Sequence, residues 1–260
     1  MQKFILLFLF SLVWKTGFSQ ETELIRQYAA PNASQAVAVD NDHFYAIGNQ
    51  AISKHQKTDG KMIAEWKESE GIIKHLNNGA VIDGLLYCAN SNYPESPMAS
   101  SIEVFDTKTM THVDSHSLGI LIGSATWIDR YDDAWWIGFA HYSNHASSEG
   151  KDNRWTTVVK FDDKWQRSEG WIFPKDLVEQ FSPSSNSGAV WGKDGKLYCT
   201  GHDAQKLYVM QLPDRGYTLE HIETIKIPFE GQGIAWDTAD EKVMYGISRK
   251  NRQVLVVKLP

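Results

Sequence analysis

His141 and His202 are the residues best equipped for proton chemistry in this sequence. Imidazole changes charge near neutral pH, so two histidines at one place can take a proton and return it. Asp203 follows His202 directly and is placed to orient its ring. Arg249 carries the planar guanidinium that grips a carboxylate through parallel hydrogen bonds. These four residues describe a catalytic centre for a small acid or lactone, in which the histidines and Asp203 handle the proton and Arg249 holds the negative charge. The same region offers a second chemistry, because His141, His145 and His202 form a donor set for Zn²⁺ with one open position. The reading adopted needs no metal and no cofactor.

Residues so far apart along a chain share a site only if the fold gathers them, and internal repetition supplies that fold. Five segments have one form, an apolar strand opening, a turn with Asp or Gly, then an aromatic-containing strand. They are QAVAVDNDHFYAIGN, GAVIDGLLYCAN, SATWIDRYDDAWWIGFAH, GAVWGKDGKLYCTGHD and GIAWDTADEKVMYGISR. Their openings at Ala36, Ala80, Ala125, Ala189 and Ile234 lie 44, 45, 64 and 45 residues apart. Each is followed by another alternating segment, such as SIEVFDTKT or TVVKFDDKW. Period-two alternation bounded by turn residues marks strands. Four strands in roughly 40–50 residues is the pattern of a β-propeller blade.

The two ends of the chain complete the count. The 27 residues from Ile234 to Pro260 are too few for a blade, and the 16 from Gln20 to Gln35 include the strand-like ELIRQYAA. Together they make one period. The expectation is an all-β, five-bladed propeller of four-stranded blades over residues 20–260, its last blade closed by the N-terminal strand so that no sheet edge is left open. Six blades would require a repeat hidden in the 64-residue spacing. WIFPKDLVEQFSP is expected to hold a short helix between Lys175 and Phe181. Trp127, Trp191 and Trp236 recur in innermost strands, and Tyr45, Tyr87, Trp136, Tyr198 and Tyr245 recur in second strands. Such regularity points to packing between blades.

In a propeller the innermost strand leaves one mouth of the central channel and the second strand returns to it. Gln35, Asn78, Ser124, Asn186 and Gln232 precede the openings. Asn49, Asn90, Asn92, Tyr93, His141, Tyr142, His202, Asp203 and Arg249 follow the second strands. Gln35, Asn78, Asn90, Tyr142 and Gln232 are therefore expected to bind substrate by hydrogen bonds around the four catalytic candidates. Of the remaining histidines, His75 is the one expected to approach this rim. HYSNHASSEGKDNRW carries most of the surplus length of blade three and is expected to rise over the same mouth.

The rim is rich in amides and histidine, with Asp203 as its one expected carboxylate. Glycoside hydrolysis usually needs two carboxylates across the bond, and a firm Ca²⁺ site needs several carboxylate oxygens. Phosphate-cradling glycine loops, paired metal-binding histidines on a helix and the nucleophile-elbow serine are all missing. Nucleic acid is excluded as a partner by the balance of 26 Lys and Arg against 32 Asp and Glu.

Met1–Lys3, the apolar run FILLFLFSLV and the small residues Gly17 and Ser19 have the layout of a secretory signal peptide spanning residues 1–19. Ten apolar residues are about half of what a spanning helix needs. The expected product is a secreted or periplasmic monomer without a membrane span. Removal of Lys3 and Lys15 takes its charge from −6 to −8. Cys88 and Cys199 fall at equivalent places in blades two and four, too far apart for a disulfide, and are expected to be buried thiols.

Four segments, SNYPESPMASSIEVFDTKTMTHVDSHSLG, IGSATWIDRYDDAWWIGFAHY, SNSGAVWG and TGHDAQKLYV, make the chain similar to secreted bacterial propeller proteins labelled cycloisomerase. More distantly the architecture resembles gluconolactonase-type propellers, which hold a divalent metal in the channel with Glu, Asn and Asp. Asn78, Asn90 and Asn186 match in type, whereas Glu is missing from all five openings. The resemblance implies a propeller enzyme of the cycloisomerase or lactonase type. The alternative is a propeller without catalysis that presents its rim to a ligand or a protein.

Overall fold

The computed structural model describes residues 22–120, 122–144 and 150–260. Residues 1–19, the expected signal peptide, lie outside them, as does His145. Strand β1 (Glu23–Ala29) starts the described chain. Blade one follows as β2 (Ala36–Val39), β3 (His43–Ile47), β4 (Ala51–Gln56) and β5 (Met62–Lys67). Blade two is β6 (His75–Ile82), β7 (Leu85–Ser91), β8 (Ala99–Asp106) and β9 (Thr111–Ile120). Blade three is β10 (Ser124–Tyr131), β11 (Ala134–Ala140), β12 (Thr157–Phe161) and β13 (Arg167–Ile172). Helix α1 (Lys175–Phe181) then precedes blade four, which is β14 (Gly188–Trp191), β15 (Leu197–Thr200), β16 (Lys206–Gln211) and β17 (Glu220–Lys226). The last blade has β18 (Ala235–Trp236), β19 (Val243–Ser248) and β20 (Gln253–Lys258). All five sheets are four-stranded and antiparallel, and β1 pairs with β20 as the outer strand of blade five.

Ring closure has the physical basis expected of it: β1 pairs the outward edge of β20, and the helix falls where its sequence placed it. Apolar residues on the two faces of each inner strand pack against the neighbouring blades. Trp127, Trp136 and Trp191 join helix residues Leu177 and Phe181 in one buried cluster between blades three and four. The Trp127 indole lies flat on Gly138, where an added Cβ would stand 1.9 Å from its Nε1. Its N–H donates to Asn186 Oδ1 at 2.5 Å. Cys88 and Cys199 are free and buried, and burial pushes both thiols well above their ordinary range.

The channel is closed at its waist. In β6 the register shifts between Leu76 and Gly79, and this bulge delivers two asparagines into the centre. Asn77 Nδ2 donates to the Ala125 carbonyl of blade three at 2.9 Å. Asn78 Nδ2 reaches Ala189 O of blade four and Ile234 O of blade five, both at 3.3 Å. Gly233 is required at the same level, because an added Cβ would lie 2.3 Å from Ala36 Cβ and 2.7 Å from Asn78 Cβ. Two separate bowls result, one above this plug and one below it.

Candidate functional site

The upper bowl is built by loops entering the inner strands and leaving the second strands. His75 opens β6, and its backbone N–H donates to Asn90 Oδ1 at 3.2 Å. Asn90 Nδ2 donates to Ser101 Oγ at 3.0 Å, so the Asn90 amide fixes the chain at His75. The His75 ring packs on Tyr93 with centroids 5.0 Å apart, and Tyr93 meets Tyr142 edge-on at 5.1 Å. An aromatic wall therefore crosses from blade two to blade three. Burial and then the positive charge of Arg249 lower the His75 pKa to about 4. The ring is thus uncharged at neutral pH, and its nitrogens bond no described side chain or backbone group.

His202 and Arg249 form the second half of the bowl. Arg249 Nη1 stands 3.1 Å from His202 Nε2. A guanidinium only donates, so Nε2 accepts and the ring hydrogen sits on Nδ1. Nδ1 in turn faces Asp203 Oδ1 at 2.7 Å. Asp203 thus holds the histidine ring, the histidine holds the arginine, and the remaining guanidinium hydrogens stay available to a ligand. Gln232 Nε2 donates to the His202 carbonyl at 3.4 Å, while Gln35 Nε2 donates to Asn49 Oδ1 at 2.6 Å.

His141 engages a different set of groups. It is 1% exposed, its Nε2 bonds the Ile122 carbonyl at 3.0 Å, and its Nδ1 is buried without a partner among the described residues. Burial lowers its pKa. No hydrogen bond or ring contact joins it to His202. The described flanks of the blade-three insert are pinned beside it, with Ser143 N on Pro183 O at 2.9 Å and Asn153 Nδ2 on Val178 O of α1 at 3.2 Å. Tyr142, the next residue, turns into the bowl, and burial raises its pKa.

Of the expected site residues, the structure brings His202, Asp203, Arg249 and Gln232 into one connected group and sets Tyr142 in the facing wall. Asn78 lies lower, with both amide hydrogens committed to the plug. Asn90 supports His75 from behind. His75 does approach the rim. One reading is corrected: Asp203 is not the only carboxylate at this mouth. Glu230 Oε2 accepts the Arg249 backbone N–H at 3.2 Å. It lies five residues ahead of β18, farther from the strand than Gln232. A long loop folds it back. Among the described residues no group of three or more His, Cys, Asp or Glu side chains stands close enough to hold a metal ion, and the proposed third ligand His145 lies outside them.

No protein-family model matches the chain, and no curated protein sequence matches it. Solved structures do. Glutaminyl cyclase from Myxococcus xanthus superposes with a TM-score of 0.61 at 10% identity, covering 91% of this chain and 95% of that one. A luciferin-regenerating enzyme superposes with a TM-score of 0.60 at 12% identity, covering 91% and 94%. At such identities the likeness establishes the propeller fold. The cycloisomerase label gains no support from it.

Proposed function

We propose that the chain is an exported enzyme that acts on a small carboxylate or lactone in the upper bowl, with Arg249 as the anion clamp and His75 as the proton acceptor. The observation that carries this reading is the Asp203–His202–Arg249 chain, which presents a fixed guanidinium opposite an uncharged, unbonded imidazole. Both structural neighbours are enzymes by name, and one is named a cyclase, which favours chemistry at a propeller mouth. Fold alone does not decide function.

In lactone opening, water adds to the carbonyl carbon and the ring C–O bond breaks. One proton from the water passes to His75 and then to the departing alkoxide. His202 does not take that role, because its Nε2 lone pair faces Arg249. A carboxylate on the substrate neutralises Arg249 and so removes one of the two causes that hold the His75 pKa down. Binding therefore makes the imidazole a better base at the moment it is needed. Tyr93 and Tyr142 wall the substrate on the blade-two and blade-three side.

The test is a panel of small lactones and carboxylates assayed for turnover and, by calorimetry, for binding. Saturable turnover that is lost in His75→Phe, and binding that is lost in Arg249→Ala, is the expected result. Binding without turnover would instead leave a ligand-binding propeller. Failure of every acid and lactone to bind would remove the proposal.

A further inference from the structure

A cavity of about 440 Å³ lies at the opposite mouth, below the plug. Asn78, bonded to Ala189 O and Ile234 O, lines its inner end. Val39, Val81, Ile128 and Val190 supply apolar walls, and Trp191 and Trp236 add aromatic ones. Asp129 lies among them at 8% exposure.

Asp129 is an unusual group to place there. Its two oxygens accept the backbone N–H of Trp191 at 2.7 Å and of Arg130 at 2.8 Å. A carboxylate has capacity for about four such bonds, so half of it is unused. No cationic side chain pairs with it among the described residues. Arg130 points its guanidinium at Asp163, 2.5 Å away, and lies over the Trp135 ring. Lys193, Asp237 and Glu241 also line the cavity, and Asp237 is tied to Lys57 at 2.9 Å. The lining contributed by blades one and two holds no titratable group. Burying a carboxyl without a counter-charge is costly, and burial raises the Asp129 pKa to about 7. Among the described residues, Arg130 and Lys193 are the cations of the lining, and neither pairs with the Asp129 carboxylate.

We propose that the lower cavity binds a small organic cation, an ammonium group on an apolar or aromatic body, with Asp129 as its counter-charge and Trp191 and Trp236 beside it. Aromatic faces attract cations, and a preformed, largely apolar pocket with one polar group that fixes orientation is the usual form of a small-molecule site. The site is independent of the upper bowl, from which the Asn78 plug separates it. An ammonium ligand binds the ionised carboxyl, so binding displaces a proton from Asp129 and tightens with rising pH.

Calorimetry on the full chain tests this with 2-phenylethylamine, the neutral 2-phenylethanol and the anionic phenylacetate. The amine is expected to bind at least about tenfold tighter than the alcohol, corresponding to about 1.4 kcal/mol, and phenylacetate is expected not to bind. Amine affinity should fall about tenfold for each pH unit below about 7 and level off above it. Asp129→Asn should abolish the preference for the amine. Should that variant not fold, Val190→Phe narrows the cavity from its wall and should block the amine without lowering the thermal midpoint. Arg249→Ala should leave amine binding unchanged. Equal affinity for amine and alcohol, no dependence on pH, no heat with the amine, or full binding in Val190→Phe would each overturn the proposal.

Discussion

At the upper mouth of the channel Asp203, His202 and Arg249 bond one another in turn; at the lower mouth the Asp129 carboxylate is left short of partners. Asp203, His202 and Arg249 above form a chain in which each side chain orients the next. Asp129 below has two backbone donors and an otherwise apolar setting. Burial acts on both bowls and favours the uncharged form of whatever it covers. For His75 this means a pKa pushed down to about 4, and for Asp129 one pushed up to about 7. The same physical cause thus leaves a neutral base at one end of the molecule and a carboxyl on the verge of ionisation at the other.

The partition between the bowls is where the contrast breaks most severely. Gly233→Ala forces a Cβ against Ala36 and Asn78, both of them buried with little room to yield. A loss of about 3 kcal/mol, read from the denaturant midpoint, is expected. Asn78→Ala removes the donor shared by Ala189 O and Ile234 O. It should cost about 2 kcal/mol and join the two bowls, so that ligands of one mouth begin to compete with ligands of the other in calorimetry.

Arg249→Ala sharpens the contrast without touching the plug. Affinity for small carboxylates should fall by about ten- to a hundredfold, as expected for a lost charged hydrogen bond. The pKa of His75 should rise, because a depressing charge has gone, and an NMR titration of its ring reads this directly.

The two mouths also bend stability with pH in opposite directions. Between pH 4 and the ordinary histidine value, the unfolded chain protonates His75 and the folded chain does not, so stability rises with pH across that window. Between the ordinary aspartate value and pH 7 the folded chain keeps the Asp129 proton and the unfolded chain loses it, so stability falls with pH. His55 and His141, both lowered by burial, act in the same sense as His75. His75→Phe should therefore make the slope of unfolding free energy against pH less positive, and Asp129→Asn should make it more positive. Denaturant titrations from about pH 4 to about 7 check both signs.

The smallest effect is expected at Asp203→Asn. The side chain is largely solvent-exposed, and the change loosens the His202 ring without removing the guanidinium. Carboxylate affinity should weaken by less than about threefold.

Periodicity was enough to give the ring, its five blades and its closure by the N-terminal strand, because strand alternation and repeat length are properties of the chain read in order. It also gave the mouth at which His202, Asp203, Arg249 and Gln232 meet, since a repeat assigns each residue a height along the channel axis. Direction about that axis is a different quantity. Whether His141 faces His202 or the Ile122 carbonyl is settled by contacts across the fold, and the repeat says nothing of that. The bulge in β6 moves Asn78 from a presumed ligand-binding position into the plug, and a register shift of this kind leaves no mark in a pattern of apolar and polar residues. Glu230 and Asp129 carry no periodic signature either. One is brought to the rim by a loop, the other is made conspicuous only by what surrounds it. Sequence determined which residues stand at which level of the ring; tertiary packing alone decided which of them touch, because side-chain contacts across blades are set by distances that no local pattern records.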